Sequence, residues 1–360
     1  MKVQTKAQIR NIFTIMIAYA IIGAIITLYD HLILVGPLSR GTADLYDFWE
    51  IMTYNVGAGL VSGILGGCLL TFINFRLKKK PFVYSLIVGG LGFTTVFALV
   101  AITITFISLE DERGDPRFTA ILQDLVFSNL QLNNLIVWAI IFQLTQFFLL
   151  MQQKFGPGNM SKILLGKYHT PKIEPRVFMF LDLKSSTTIA EQLGESKYHQ
   201  FLQDVFADIT EPVGENKAEI YQYVGDEIVV TWHLDKLRNK SHCVGIFFAI
   251  ESIFAAKEQA YLEKYGTVPQ FKAGAHLGNS IVGEIGIIKR DITYSGDLLN
   301  TTARIQGKCN ELESAFLISG QLREYLADSL EDYHLDRKGF IALRGKATKV
   351  ELFSVSQLAI

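Results

Sequence analysis

The chain of 360 residues is poor in proline and in cysteine, the residue that forms the disulfide bonds of small secreted domains. It contains 3 cysteines and 8 prolines. Cys68, Cys243 and Cys309 have neither the spacing of metal ligands nor that of a disulfide framework, which favours free thiols in a reducing compartment. The sequence also lacks an excess of either charge, since its formal net charge is −1. It therefore does not have the basic surface that a nucleic-acid partner requires.

Charge is scarce in the N-terminal part of the chain. Only 20 of the 69 charged residues lie within residues 1–160. Four stretches in this part contain no charged residue, and each supplies about the 20 apolar residues that cross a lipid bilayer. We therefore predict a bundle of four transmembrane helices, within residues 11–29, 51–75, 81–109 and 125–153.

The distribution of lysine and arginine predicts how these helices are oriented. Basic residues precede the first span and form the segment 76–80 between the second and third spans. The other two connections are acidic. We expect an integral protein of the plasma (inner) membrane, with the N-terminus and everything after Lys154 in the cytoplasm. A signal peptide is the alternative for the first span, but no small-residue cleavage site follows it.

Three regions follow from these patterns. We predict a four-span transmembrane domain at 1–155, a linker at 156–174 and a cytoplasmic domain at 175–360. In the last region strand and helix patterns alternate as strand, helix, hairpin, helix, strand, the order of a ferredoxin-like βαββαβ fold. We expect an α+β domain with an antiparallel sheet and helices on one face. The central first strand should lie beside the first strand of the hairpin.

Two carboxylates in this domain indicate a metal site. Asp182 ends an apolar run, and Asp226 occupies a tight turn between two others. If the first strand ends at the hairpin tip, the two acids can share divalent ions. The polar turn Ser185, Ser186 and Thr187 opens a helix, and its backbone N–H groups suit a phosphate chain. Taken singly, each acid is equally well explained as a helix cap or a turn residue.

Three segments, in order, resemble the signature segments of class III adenylate and guanylate cyclases. They are FLDLKSST at 180–187, VGD at 224–226 and GDLLNTTAR at 296–304. The resemblance extends over about residues 172–357 and implies a membrane-anchored nucleotide cyclase. It implies that Asp182, Asp226 and the Leu183 carbonyl bind two divalent metal ions, Mg²⁺ or Mn²⁺.

The resemblance also assigns roles to residues near the C-terminus. Asn300 would position the ribose, and Arg304 would stabilise the charge that develops on the α-phosphate. Arg344 and Lys346 are candidates for binding the terminal phosphates. In the family the metal acids and the Asn/Arg pair come from different subunits. The resemblance therefore implies a homodimer.

The positions that would read the base hold Gln222 and Thr293. Thr293 suits one adenylate subgroup of the family, whereas Gln222 suits neither nucleotide class. Because no acidic residue is present to meet the guanine donors, we expect ATP, with GTP as the alternative. A diguanylate cyclase and a degenerate cyclase-like receptor or binding module are further alternatives. Diguanylate cyclases lack the motif formed here by Asn300 and Arg304. A degenerate module would bind nucleotide without forming product.

The predicted spans carry two further patterns. Gly59, Gly63 and Gly67 lie four residues apart, so they share a helical face that allows close packing, within the bundle or between chains. Gln143 and Gln146 would place polar groups at membrane depth, where they hold helices together or mark a site.

Overall fold

The computed structural model describes residues 2–34, 47–77, 80–109, 117–156, 159–343 and 348–358. The chain forms two compact units, Met1–Met160 and Ser161–Ile360. Each unit has a hydrophobic core of its own.

The N-terminal unit is helical. Four of its helices are long and apolar enough to cross a membrane. The predicted stretch 125–153 is divided, because Ser128 accepts a hydrogen bond from the Gln131 N–H (3.3 Å) and caps a new helix. A short helix, which the sequence pattern did not predict, precedes it. The helices are α1 Lys2–Leu34, α2 Phe48–Arg76, α3 Phe82–Ser108, α4 Phe118–Val126 and α5 Asn129–Phe155.

The glycine face of α2 packs against α1 of the same chain. A Cβ atom at Gly59 would overlap the backbone of Tyr19, and one at Gly63 would overlap the backbone of Met16. Of the two roles predicted for this face, packing within the bundle is the one observed.

The two glutamines of α5 join it to α3. Gln143 Nε2 donates to the Leu86 carbonyl (3.2 Å), and Gln146 Nε2 donates to the Ser85 carbonyl (2.7 Å). In an apolar surrounding such bonds tie neighbouring helices together.

The C-terminal unit is built on a mixed sheet. Its strand order is β2-β3-β1-β4-β6-β8-β7, and β5 pairs with β4. The first four strands form the predicted ferredoxin-like arrangement. The elements are α6 Asn159–Leu164, β1 Lys172–Leu183, α7 Ser186–Leu193, α8 Glu195–Glu215, β2 Glu219–Val224, β3 Glu227–His233, α9 His242–Ala256, α10 Glu258–Tyr265, β4 Phe271–Ile285, β5 Asp291–Ser295, α11 Asp297–Gly307, β6 Phe316–Ser319, α12 Gly320–Leu326, β7 Tyr333–Ile341 and β8 Val350–Gln357.

The neighbour of β1 differs from our expectation. The second hairpin strand, β3, pairs with β1, and the first, β2, lies outside it. The helical connection after β1 places β2 two strand positions away from β1. The next strand, β3, then lies between them and pairs with both. β1 also begins at Lys172, inside the segment predicted as a linker. Pro175 has no N–H group to donate, and it is tolerated because the pairing of β1 with β3 starts only at Arg176.

Helices cover both faces of the sheet, not one. Val177 and Met179 point into the main core with α8 and α9. Phe178 and Phe180 point to the other side, where they pack with Leu298 of α11. The sheet is mixed rather than antiparallel, because β6 runs parallel to β4.

Candidate active site

Three carboxylates meet where β1 ends and the hairpin turns. Asp182 is the register partner of Glu227, and Asp226 immediately precedes Glu227 in the turn. Gly225 has φ +62°, a left-handed conformation that suits glycine. Burial, together with the negative charges of Asp182 and Asp226, raises the pKa of Glu227 to about 7. The carboxylates at this end of the sheet are therefore close enough to repel one another.

Asp182 has two partners that the sequence motifs did not predict. Its Oδ2 atom accepts a hydrogen bond from Gln306 Nε2 (3.0 Å) and lies 3.1 Å from Lys272 Nζ. Lys272 is opposite Asp182 in the register of β1 with β4. Only the register could have revealed it, because the two residues are far apart in the chain.

The polar turn after β1 lies beside these acids. Ser185 has φ +57° and makes no side-chain cap at the start of α7. The Ser186 hydroxyl bonds to Tyr198, whose pKa is raised by burial and by the negative charge of Asp226. The start of α7 thus leaves its first N–H groups without a side-chain cap, next to the carboxylates. Leu183 itself is buried, as the last residue of β1.

Helix α11 carries Asn300 and Arg304, the two residues predicted to act on the ribose and the α-phosphate. Asn300 is exposed and Arg304 is partly buried. The helix lies directly on β4, because a Cβ at Gly274 would overlap the backbone nitrogen of Gln306. It brings Gln306, and not Arg304, to Asp182. In the part of the chain that is described, neither Asn300 nor Arg304 bonds to Asp182 or Asp226.

The two positions predicted to read the base lie on β2 and β5, which do not pair but are in contact through tyrosine side chains. Gln222 is exposed on β2 opposite Val229, and Thr293 on β5 donates a long hydrogen bond to the Gly283 carbonyl (3.5 Å). Their neighbours Tyr221 and Tyr294 are in ring contact, with centroids 4.9 Å apart. Arg344 and Lys346 lie outside the described residues.

The donor atoms fit Mg²⁺ or Mn²⁺ better than a thiolate- or imidazole-preferring ion. Carboxylate and backbone carbonyl oxygens are hard ligands, and Mg²⁺ commonly uses one or two carboxylates with substrate phosphates. Among the described residues, no group of three or more His, Cys, Asp or Glu side chains could hold a metal ion. Substrate oxygens and water would have to complete the coordination.

Comparison with known proteins gives a consistent set of matches. Residues 169–357 match the family model of the adenylate and guanylate cyclase catalytic domain. Adenylate cyclase 2 of Rhizobium meliloti (strain 1021) is 37% identical over 176 residues, 49% of this chain and 48% of that protein. An adenylate cyclase of Anabaena cylindrica is 22% identical over 205 residues, 56% of this chain and 40% of its own. The chain therefore spans less than half the length of either relative.

A solved structure shares the fold. A bacterial light-regulated adenylyl cyclase matches with a TM-score of 0.52 and 16% identity. The match covers 61% of this chain and 64% of that one.

Proposed function

This chain belongs to the family of adenylate and guanylate cyclase catalytic domains, and on that premise we propose that it is a membrane-bound adenylate cyclase. It would convert ATP to 3′,5′-cyclic AMP and pyrophosphate at the interface of a homodimer. The observation that supports this most is the placement of Asp182 and Asp226 where β1 ends and the β2–β3 hairpin turns, beside the uncapped start of α7.

Asp182, Asp226 and the Leu183 carbonyl would hold two divalent ions, which when bound would favour deprotonation of the ribose 3′-hydroxyl and neutralise charge on the triphosphate. The backbone N–H groups at Ser186 and Thr187 would bind phosphate oxygens. Lys272 Nζ, 3.1 Å from Asp182 Oδ2, would be a further cation for the same phosphates.

The second subunit would supply the groups that orient and stabilise the reacting nucleotide. Asn300 would hold the ribose, and the Arg304 guanidinium would meet the charge that develops on the α-phosphate as pyrophosphate leaves. Arg344 or Lys346 would bind the terminal phosphates.

Two observations support the homodimer. Asn300 and Arg304 make no contact with the acids of their own chain in the described residues, so one chain would leave each half-site incomplete. The tip of the β4–β5 hairpin also carries Ile287 and Ile288, both almost fully exposed. A partner subunit that covered these two side chains would remove their apolar surface from water.

ATP is favoured over GTP by two observations. Neither Gln222 nor Thr293 is acidic, so the guanine N1 and amino donors would lack a carboxylate acceptor. The curated relatives named above are both adenylate cyclases. GTP is the second substrate to test in the same assay.

The proposal is tested by assaying the full chain in nanodiscs with ATP or GTP and with Mg²⁺ or Mn²⁺. We expect metal-dependent cyclic AMP formation that exceeds cyclic GMP formation. Asp182→Ala and Asp226→Ala should each lower turnover by at least about a hundredfold, since each would remove a metal ligand. Asp235→Ala, an exposed acid beyond the far end of β3, is the control. Turnover retained in Asp182→Ala would overturn the metal assignment, and the absence of product from both nucleotides would favour a binding module.

A further inference from the structure

A polar cavity lies at one end of the N-terminal helical unit. It has a volume of about 330 Å³, within the range of ligand sites. It is formed where α2 ends, α3 begins and α5 ends. Its polar lining consists of Asn74, Lys80, Ser85, Gln153 and Lys154.

The cavity is electropositive. Lys80 and Lys154 make no ion pair with any described residue, and no acidic residue is part of the described lining. The N-terminus of the 27-residue helix α3 also opens into it. Its N-cap, Pro81, provides no side-chain hydrogen bond. Two ammonium groups and an uncapped helix start together favour an anion.

An acceptor without a donor lies in the wall of the cavity. The Oδ1 atom of the lining residue Asn74 is buried and has no hydrogen-bond partner among the described residues. Buried polar atoms in native proteins are almost always satisfied, by protein or by ordered water. A ligand hydroxyl would also satisfy this atom once the Asn74 side chain turns towards the cavity.

We propose that this cavity binds the headgroup of an anionic phospholipid that carries a phosphate and a hydroxyl, as phosphatidylglycerol does. The phosphate lies between Lys80 and Lys154 at the start of α3, and a glycerol hydroxyl donates to Asn74 Oδ1. Phosphatidylcholine has no such donor and carries a compensating cation, so the cavity disfavours it.

A lipid suits the location better than a soluble phosphate ester. Helices α2, α3 and α5 are each long and apolar enough to span a bilayer, so a cavity at their ends lies at headgroup depth. Basic pockets between transmembrane helices at this depth are typical sites for anionic headgroups. Val83 and Tyr84, which follow the lining residue Phe82, are exposed and apolar enough to contact acyl chains.

The proposal is tested by native mass spectrometry of the full chain in nanodiscs made from equal parts of phosphatidylglycerol and phosphatidylcholine. We expect phosphatidylglycerol to be retained preferentially. Lys80→Gln and Lys154→Gln should each lower its retention about fivefold, because one lysine contributes about 1 kcal/mol to an anionic headgroup. Asn74→Leu should lower retention of phosphatidylglycerol while leaving the net charge unchanged.

Arg76→Gln is the matched control. It removes the same charge at the same end of α2, but Arg76 lies over the Phe72 ring and does not line the cavity. Equal losses in Arg76→Gln and Lys80→Gln would overturn the proposal, because they would indicate general surface charge. Equal retention of both lipids by the unmodified chain would also overturn it. Displacement of bound lipid by millimolar glycerol 3-phosphate would assign the site to a soluble phosphate ester instead. Helical circular dichroism of each variant must match that of the unmodified chain.

Discussion

At the residue scale, the site divides into groups that a motif reveals and groups that only the fold reveals. Asp182 and Asp226 follow from sequence pattern, because each ends an apolar run or sits in a turn. Lys272, Gln306 and Glu227 do not, because they reach Asp182 through strand register and through the close seating of α11 on β4.

Gln222, predicted to read the base, can be tested by one substitution. Gln222→Glu would place a carboxylate where it can accept from the guanine N1 and amino donors. We expect the ratio of kcat/KM for GTP to that for ATP to rise at least about tenfold. Gln259→Glu, on the exposed surface of α10, makes the same charge change elsewhere and should leave the ratio unchanged. An unaltered ratio in Gln222→Glu would remove Gln222 from the base site.

At the element scale, local pattern predicted most strands but not how they continue or pair. The patterns of residues 270–276 and 280–286 indicate two strands, separated by a segment that contains Gly278 and Asn279, yet they form the single strand β4. Pairing with β1 runs through both residues and outweighs their turn propensity. The pattern of residues 241–265 indicates one long helix, but the chain divides at Lys257 into α9 and α10. The edge strand β7 was not predicted, because its polar and charged residues give little apolar alternation.

A buried ionic cluster ties the start of β1 to the neighbouring strands. Arg176 donates to Glu174 from Nε (3.0 Å) and Nη2 (2.9 Å), and both side chains are buried. Arg176 also contacts Glu219 of β2 and lies over the Tyr294 ring of β5. Burial alone would raise the pKa of Glu174, but the hydrogen bonds from Arg176 and Tyr168 hold that pKa at about 2.

This cluster predicts a pH-dependent stability. The pKa of Glu174 is lowered from 4.5 to about 2 on folding, so its contribution is complete above about pH 4.5 and is lost as the pH falls towards 2. We expect Glu174→Gln to lower the free energy of unfolding of the C-terminal unit by roughly 3 kcal/mol at pH 7, because the buried Arg176 loses its two shortest charged hydrogen bonds and keeps only the longer contact with Glu219 (3.4 Å).

The measurement is chemical denaturation of the unmodified chain and the variant at several pH values. The difference in unfolding free energy between them should shrink below about pH 4.5. Asp336→Asn breaks an exposed ion pair with Lys338 and should have little effect. A difference that does not change between pH 7 and pH 3 would contradict the role given to Glu174.

The close packing of α11 on β4 can also be tested by substitution. Gly274→Ala would push the helix away from the strand, so we expect a loss of about 1–3 kcal/mol in unfolding free energy and a loss of cyclase activity. Gly307→Ala changes the last residue of α11, where a Cβ meets no atom within 4 Å. It should be neutral or slightly stabilising. Denaturation and activity assays on the two variants would separate steric displacement from a general effect of alanine. Equal behaviour of both variants would contradict the close contact.

At the scale of the whole molecule, composition was the strongest guide. The scarcity of charge predicted the four long apolar helices, and three short motifs predicted the catalytic family. What the sequence could not provide was the position of α11. This helix packs on the face opposite α8 and α9 and places Gln306, and not Arg304, at Asp182.

If two chains share each active site, a mixture of two inactive variants should regain activity. Asp182→Ala and Arg304→Ala are co-expressed in equal amounts and assayed for cyclic AMP. In a mixed dimer one site loses both residues and the other keeps both. Random pairing should therefore restore about a quarter of the activity of the unmodified chain. If the mixture is as inactive as either variant alone, although mixed dimers are recovered by tandem affinity tags, the shared site is contradicted.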